Sequence, residues 1–292
     1  MSGAVFDDDT IGRLKALPLR LKRLHAGDLG RGAAAAHSAG RAEFKDHVAY
    51  ASGDDLRTLD WNLYARLGQL FVRRFAGEVD RDVHILLDRS GSMAGGSPSK
   101  DVFGRRLAAA YTLAALAGGR RVRLLALSAA VRPIGAVFEG RPSFNQAIAA
   151  LEGLAAVEGR LAPETVLGAI RGGGDRRFVL LVSDLLDDAA PLERALAARG
   201  RGVEVAVLAV STAEERDPPA AEVLEIVGAE GEGSVVATGG AARRERYRER
   251  YAEHFAAIEH LVRSRGGSFE RAAVETAFDE VFVDLLGKGM AP

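Results

Sequence analysis

The chain has 292 residues, 48% hydrophobic and 27% charged, a globular rather than a disordered balance. Its 39 basic and 40 acidic residues give a net charge of −1, which points to no nucleic-acid partner. The absence of cysteine excludes disulfides, thiolate nucleophiles and cysteine-ligated zinc or iron–sulfur centres. The acidic start MSGAVFDDDT is not that of a signal peptide. No apolar run reaches the ~20 residues that span a bilayer, so no transmembrane segment and a cytoplasmic location are expected.

Residues 11–25, IGRLKALPLRLKRLH, mix leucines with Lys15, Arg20, Lys22 and Arg23. A basic helix lying on a membrane surface fits this pattern, and so does a helix docked on the domain. Pro18 would break or start that helix. The Gly/Ala-rich stretch 26–42 reads as a connector, so residues 1–39 form an N-terminal helix and linker. From 82 onwards the pattern is regular. DVHILLD (82–88) is a buried strand, and DVFGRRLAAAYTLAALAGG (101–119) is a helix ending at glycines. RVRLLALS (121–128) is a strand, and AVRPIGAVFEG (130–140) is an edge strand because of Pro133. SFNQAIAALEGL (143–154) is a helix with Ser143 as N-cap. RRFVLLVSD (176–184), AAPLERALAARG (189–200) and GVEVAVLAVS (202–211) follow as strand, helix and strand.

EVLEIVGAEGEGSVVATGG (222–240) predicts a hairpin. In the long helix after it, Tyr247, Tyr251, Phe255, Ile258 and Val262 lie on one stripe, read as core. Gly266-Gly267 ends that helix, and Thr276 caps a last one, AFDEVFVDLLG (277–287).

Strands that are apolar throughout and alternate with helices predict a mostly parallel central sheet covered on both faces. Such sheets carry their sites at the carboxyl ends of the strands. Three strands end there in polar residues: Asp88, Ser183-Asp184 and Ser211. In LLDRSGSMAGG (86–96), Asp88, Ser90 and Ser92 occupy alternate positions just past the first buried strand. One carboxylate and two hydroxyls are hard oxygen donors suited to Mg2+ or another divalent cation. Asp184 ends a second strand and can reach the same point through water, and Thr165, just before a helix, offers a third hydroxyl. Each also has an ordinary structural reading. Asp88, Asp184 and Thr165 are credible caps, and Ser90 and Ser92 credible loop serines.

DRSGSM resembles the D-x-S-x-S motif of von Willebrand factor A-type domains, and with Thr165 and Asp184 it resembles their metal-ion-dependent adhesion site. The resemblance implies that Asp88, Ser90, Ser92 and Thr165 ligate the ion and Asp184 acts through water. One coordination position is then left for an acidic side chain of a protein partner. The stretch 40–78 is similar to the signature of the bacterial domain of unknown function 58 family. It carries Glu43-Phe44, Tyr50, Gly53-Asp54-Asp55, Arg57, Asp60-Trp61 and Ala65-Arg66. VGAEGEG (227–233) loosely matches a later hairpin of that family. The resemblance spans roughly residues 40–286. It implies an adaptor that works beside a MoxR-type AAA+ ATPase in protein assembly or remodelling. Residues 40–81 are then a signature segment packed on the sheet edge, used as a partner surface or held by pairing of Arg57 and Arg66 with Asp54, Asp55 or Asp60. Trp61 reads as a buried anchor.

An enzyme is not expected. A phosphatase of the D-x-D type needs a carboxylate where Ser90 stands. The chain has no G-x-S-x-G elbow and no P-loop motif. The expected architecture is therefore α/β and von Willebrand A-like (Rossmann-like), with an N-terminal extension and a C-terminal hairpin. The expected role is metal-dependent protein binding. The alternatives are a scaffold with a vestigial metal site that binds through the 50–66 surface and, further off, a metal-dependent phosphohydrolase.

Overall fold

A computed structural model describes residues 4–27, 44–49, 71–75, 82–157, 159–172, 176–229 and 233–292. The chain divides into two units, Arg23–Arg81 and the combination of Met1–Lys22 with Asp82–Pro292. In the smaller unit, β1 (Phe44–Ala49) and β2 (Phe71–Phe75) pair antiparallel, with an irregular register between Phe44 and Asp46. Of the signature residues, Glu43, Tyr50, Gly53, Asp54, Asp55, Arg57, Asp60, Trp61 and Arg66 lie outside the described residues.

α1 (Asp8–Gly27) begins in the larger unit and runs on through Pro18 rather than breaking there. Asp7 precedes it and accepts the Thr10 amide at 2.8 Å, satisfying one of the open donors of a first turn. Leu14 and Leu17 are fully buried in the core, as a docked helix requires. The amides of Val5 and Phe6 both donate to the Glu152 carboxylate at 3.0 Å, and Arg13 pairs with Asp279 at 3.1 Å.

The next elements are β3 (Asp82–Asp88), α2 (Lys100–Ala117), β4 (Val122–Leu127), β5 (Val131–Pro133), α3 (Phe144–Glu152) and α4 (Pro163–Arg171). Then come β6 (Arg176–Ser183), α5 (Ala190–Ala197), β7 (Gly202–Ser211), the short α6 (Ala213–Arg216), β8 (Val223–Val227) and β9 (Ser234–Thr238). The chain ends with α7 (Gly240–Ser264), β10 (Ser268–Ala273) and α8 (Phe278–Gly287). The main sheet has the strand order β10-β7-β6-β3-β4-β5. All neighbours are parallel except β4 and the edge strand β5.

Strand parity sorts the core into two layers. Val83, Ile85, Leu87, Leu180, Val182 and Leu208 face one side, where Phe103, Leu151 and Phe282 supply the covering helices α2, α3 and α8. Leu86, Val179, Leu181, Val205 and Val207 face the other, under Val166 and Ile170 of α4, Leu196 of α5 and Phe255 and Val262 of α7. This explains why the central strands are apolar without alternation: both of their faces are buried.

Several local expectations are corrected. Ser143 stands at the N-cap position of α3 as expected, but its side chain makes no capping bond; its hydroxyl donates to the Gly140 carbonyl at 2.8 Å, closing a preceding 3-10 turn over Arg141–Ser143. The N-cap of α8 is Ala277, not Thr276, and no side chain caps it. Tyr247 leaves the buried stripe of α7: it is 38% exposed, and its hydroxyl donates to the Glu215 carbonyl at 2.8 Å. β10 is an unexpected sixth strand, because SFERAA is short and carries two charges. The predicted hairpin forms as a separate two-stranded sheet of β8 and β9, and it exposes Val223, Val227, Val235 and Val236.

His84 is the polar exception inside β3. It is 2% exposed, and both ring nitrogens lack a hydrogen-bond partner. Burial, reinforced by the charges of Arg177 and Arg123, lowers its pKa to about 4. A depressed histidine stays neutral when folded, whereas the unfolded chain takes up the proton. Its contribution is therefore complete above about pH 6.5 and is lost as pH falls through 4. His84→Leu should flatten the acid limb of stability against the wild type by up to ~3 kcal/mol between pH 7 and 4. Urea unfolding of both proteins across that range checks this; parallel pH profiles would refute it.

Candidate metal centre

β3 and β6 run in parallel, with Leu87 opposite Val182, so both strands finish at the same sheet edge. Asp88 is the last residue of β3 and Ser183 the last of β6. The Ser183 hydroxyl donates to Asp88 Oδ2 at 2.6 Å. On the other carboxylate oxygen, Oδ1, the backbone amide of Ser90 donates at 2.9 Å and its hydroxyl at 2.7 Å. Ser90 Oγ lies 3.1 Å from Ser92 Oγ. Asp88, Ser90 and Ser92 thus converge.

The loop is fixed by contacts that leave these oxygens on one side. Ser90 is extended and enters a 3-10 turn, Gly91–Ala94. The Gly91 amide donates to the Gly159 carbonyl at 2.8 Å. A Cβ at Gly91 would stand 2.5 Å from the Ala229 carbonyl oxygen, in the turn of the β8–β9 hairpin, so this position requires glycine. Arg89 turns inward and pairs with Asp101, which also binds Arg105 at 2.7 Å. Both arginines donate to the Ala155 carbonyl, tying the loop to the chain after α3. Ser99 then caps α2 by accepting from the Val102 amide at 3.2 Å.

Asp88 is 2% exposed and, among the described residues, forms no salt bridge. Burial pushes its carboxyl up to about 6; the nearby Asp184 charge adds to the rise, while hydrogen bonds from Ser183 and Ser90 oppose it. A buried carboxylate with hydroxyls gathered on it and no cation is a donor set that a hard divalent ion would complete. The residues present therefore fit a magnesium-type ion. Among the described residues no three histidine or acidic side chains converge, so the donors are mostly hydroxyl oxygens.

The other two expected ligands stand differently. Thr165 donates its hydroxyl proton to the Ala162 carbonyl at 2.6 Å, which leaves its oxygen lone pairs for another partner. No hydrogen bond joins it to Asp88, Ser90 or Ser92 among the described residues. Asp184 is 4% exposed and already has a cation: Lys100 Nζ is 2.7 Å from its Oδ2. Lys100 also pairs with Glu215, which closes a capping box with Thr212 at the start of α6. Burial works against the ammonium, but Asp184 and Glu215 outweigh it and hold Lys100 above the ordinary lysine range. Sequence reasoning missed Lys100, Glu215 and Ser183 as parts of the site. Ser183 had a signal, since it directly precedes Asp184 at a strand end. Beside the site lies a pocket running from Asp88, Ser183 and Asp184 to Leu161, Val166, Leu192 and Ile258.

The family described as "Protein of unknown function DUF58" matches residues 46–257. The chain belongs to the DUF58 family. Its larger unit is an α/β domain built on a mostly parallel central sheet. No curated protein matches the sequence. Among solved structures, BatB from Bacteroides thetaiotaomicron is 18% identical, with a TM-score of 0.44 over 71% of this chain and 98% of that one. A von Willebrand factor type A protein from Catenulispora acidiphila is 16% identical, with a TM-score of 0.40 over 76% and 44%. Proximal thread matrix protein 1 of the mussel byssus, in a structure with a zinc-occupied MIDAS motif, is 18% identical, with a TM-score of 0.35 over 46% and 38%. No helix among the described residues is long and apolar enough to cross a membrane.

The close approach at Gly91 is directly testable. Gly91→Ala should destabilise the protein by about 1–3 kcal/mol, because the added methyl meets backbone rather than a yielding side chain. Denaturant unfolding measures the loss; an unchanged midpoint would mean that the hairpin turn moves aside at little cost.

Proposed function

We propose that this DUF58 protein is a non-enzymatic adaptor that captures a protein partner through a divalent cation, Mg2+ in the first instance. The observation that carries the reading is the cluster in which the Ser90 hydroxyl binds the buried carboxylate of Asp88 and lies against the Ser92 hydroxyl, with no salt-bridge partner for Asp88 among the described residues. Asp88, Ser90 and Ser92 would hold the ion, Thr165 would add a hydroxyl, and Asp184 would act through water. Bound there, the ion supplies an open coordination position that an acidic side chain of the partner fills. Among the described residues no second carboxylate stands beside Asp88 on its own loop to act as acid or base, because Ser90 and Ser92 take those positions; this favours binding over phosphoryl transfer. By family resemblance the adaptor works in the cytoplasm with a MoxR-type AAA+ ATPase.

A second reading has a specific observation behind it. Lys100 already gives Asp184 a positive partner, as a scaffold that no longer uses metal would. Such a protein would bind partners through residues 50–66. The two readings part at Asp88, since Asp88→Ala abolishes capture of an acidic partner only in the first.

Thermal unfolding in EDTA and then in rising MgCl2 tests the cation. A ligand held only by the folded state stabilises it by ~2.7 kcal/mol at a hundredfold excess over its dissociation constant. The wild type should shift upward and Asp88→Ala should not. A wild type that ignores the metal would shift support to the scaffold reading.

A further inference from the structure

Lys100 is the first residue of α2, and its side chain is fully buried. An ammonium is kept away from water only where anions surround it. Here Asp184 and Glu215 do so. Its place is fixed from two directions. Ser99 caps the helix that carries it, and Glu215 is held by donation from the Thr212 amide to Oε2 at 2.9 Å while Lys100 takes Oε1. The ammonium is therefore a permanent part of this strand end, not a surface side chain passing by.

The two carboxylates that would serve one cation are thus unequal. Asp88 meets only hydroxyls and an amide, whereas Asp184 is already neutralised by a neighbour. We propose that Lys100 sets the divalent-cation affinity of this centre, acting as a built-in positive charge that keeps binding weak. Two effects act in the same direction. A divalent ion entering beside Asp184 is repelled by the ammonium, and Asp184 gives it less attraction than an unpaired carboxylate would. The proposal rests on the metal reading above and adds a positioning residue to it.

Isothermal titration with MgCl2 tests it on the full chain. Lys100→Met keeps the buried stem and removes the charge. The double variant Lys100→Met/Glu215→Gln removes one positive and one negative charge together, so it serves if the single variant unfolds. Circular dichroism establishes the fold of each. Both variants should bind Mg2+ roughly tenfold or more tightly than the wild type. In an Asp184→Asn background the part of that gain due to freeing Asp184 should vanish, leaving the part due to removed repulsion. Folded variants with wild-type or weaker affinity would overturn the proposal, and so would a gain that Asp184→Asn leaves whole. If only the variants bind, Lys100 silences the site and the proposal stands, while metal-dependent capture by the wild type fails. If none binds, both fail.

Discussion

The parallel pairing of β3 with β6 is the constraint from which the site follows. In a pleated strand successive side chains face opposite sides, so a register fixed at Leu87 and Val182 decides which polar residue each neighbour meets. Asp88 follows Leu86 onto the face covered by α4, α5 and α7, and Ser183 follows Leu181 onto the same face. There the two bond at 2.6 Å. Asp184, one residue on, is met by Lys100 from α2, which covers the other face. A one-residue slip would exchange these partners and leave buried charges without any.

Burial makes that arrangement demanding. At the end of β3 and β6 lie four buried or half-buried acids, Asp88, Asp101, Asp184 and Glu215, and three buried cations, Arg89, Lys100 and Arg105. The ion pairs assign Asp101 to the two arginines, and Asp184 and Glu215 to the lysine. One carboxylate in excess remains, and it is Asp88. Burial, with the Asp184 charge adding to it, raises the pKa of this carboxyl and so makes its ionisation costly. A cation at Asp88 would remove that cost. This links the electrostatics of the fold to the chemistry proposed for the site.

Much of this was legible in the sequence because it is written in periodicity. Uniformly apolar runs ending in Asp88, Ser183 and Ser211 identify parallel strands and the edge at which they stop, and alternate residues in DRSGS identify a cluster. What was not legible depends on partners distant in sequence. Lys100 reads as an ordinary residue at a helix start, and only the fold brings Asp184 and Glu215 to it, 84 and 115 positions away. Ser143 and Thr276 have the right chemistry for caps, yet a turn carbonyl takes the first and the helix starts one residue beyond the position the second would cap. β10 joins the sheet through its backbone beside β7 rather than through an apolar pattern.

The loop is also held in place without any ligand. Arg89 and Arg105 pin it to the chain after α3, Gly91 rests against the hairpin turn, and Ser99 starts α2. None of these contacts uses the oxygens of Ser92 or the Oδ1 face of Asp88. Binding at such a site would cost little ordering of the protein, so under the proposed function even an ion of modest affinity would hold a partner's carboxylate in a defined direction. On the proposal above, Lys100 would let a rigid, carboxylate-bearing strand end exist in the folded protein before a divalent ion arrives, at the expense of the tightness with which that ion is kept.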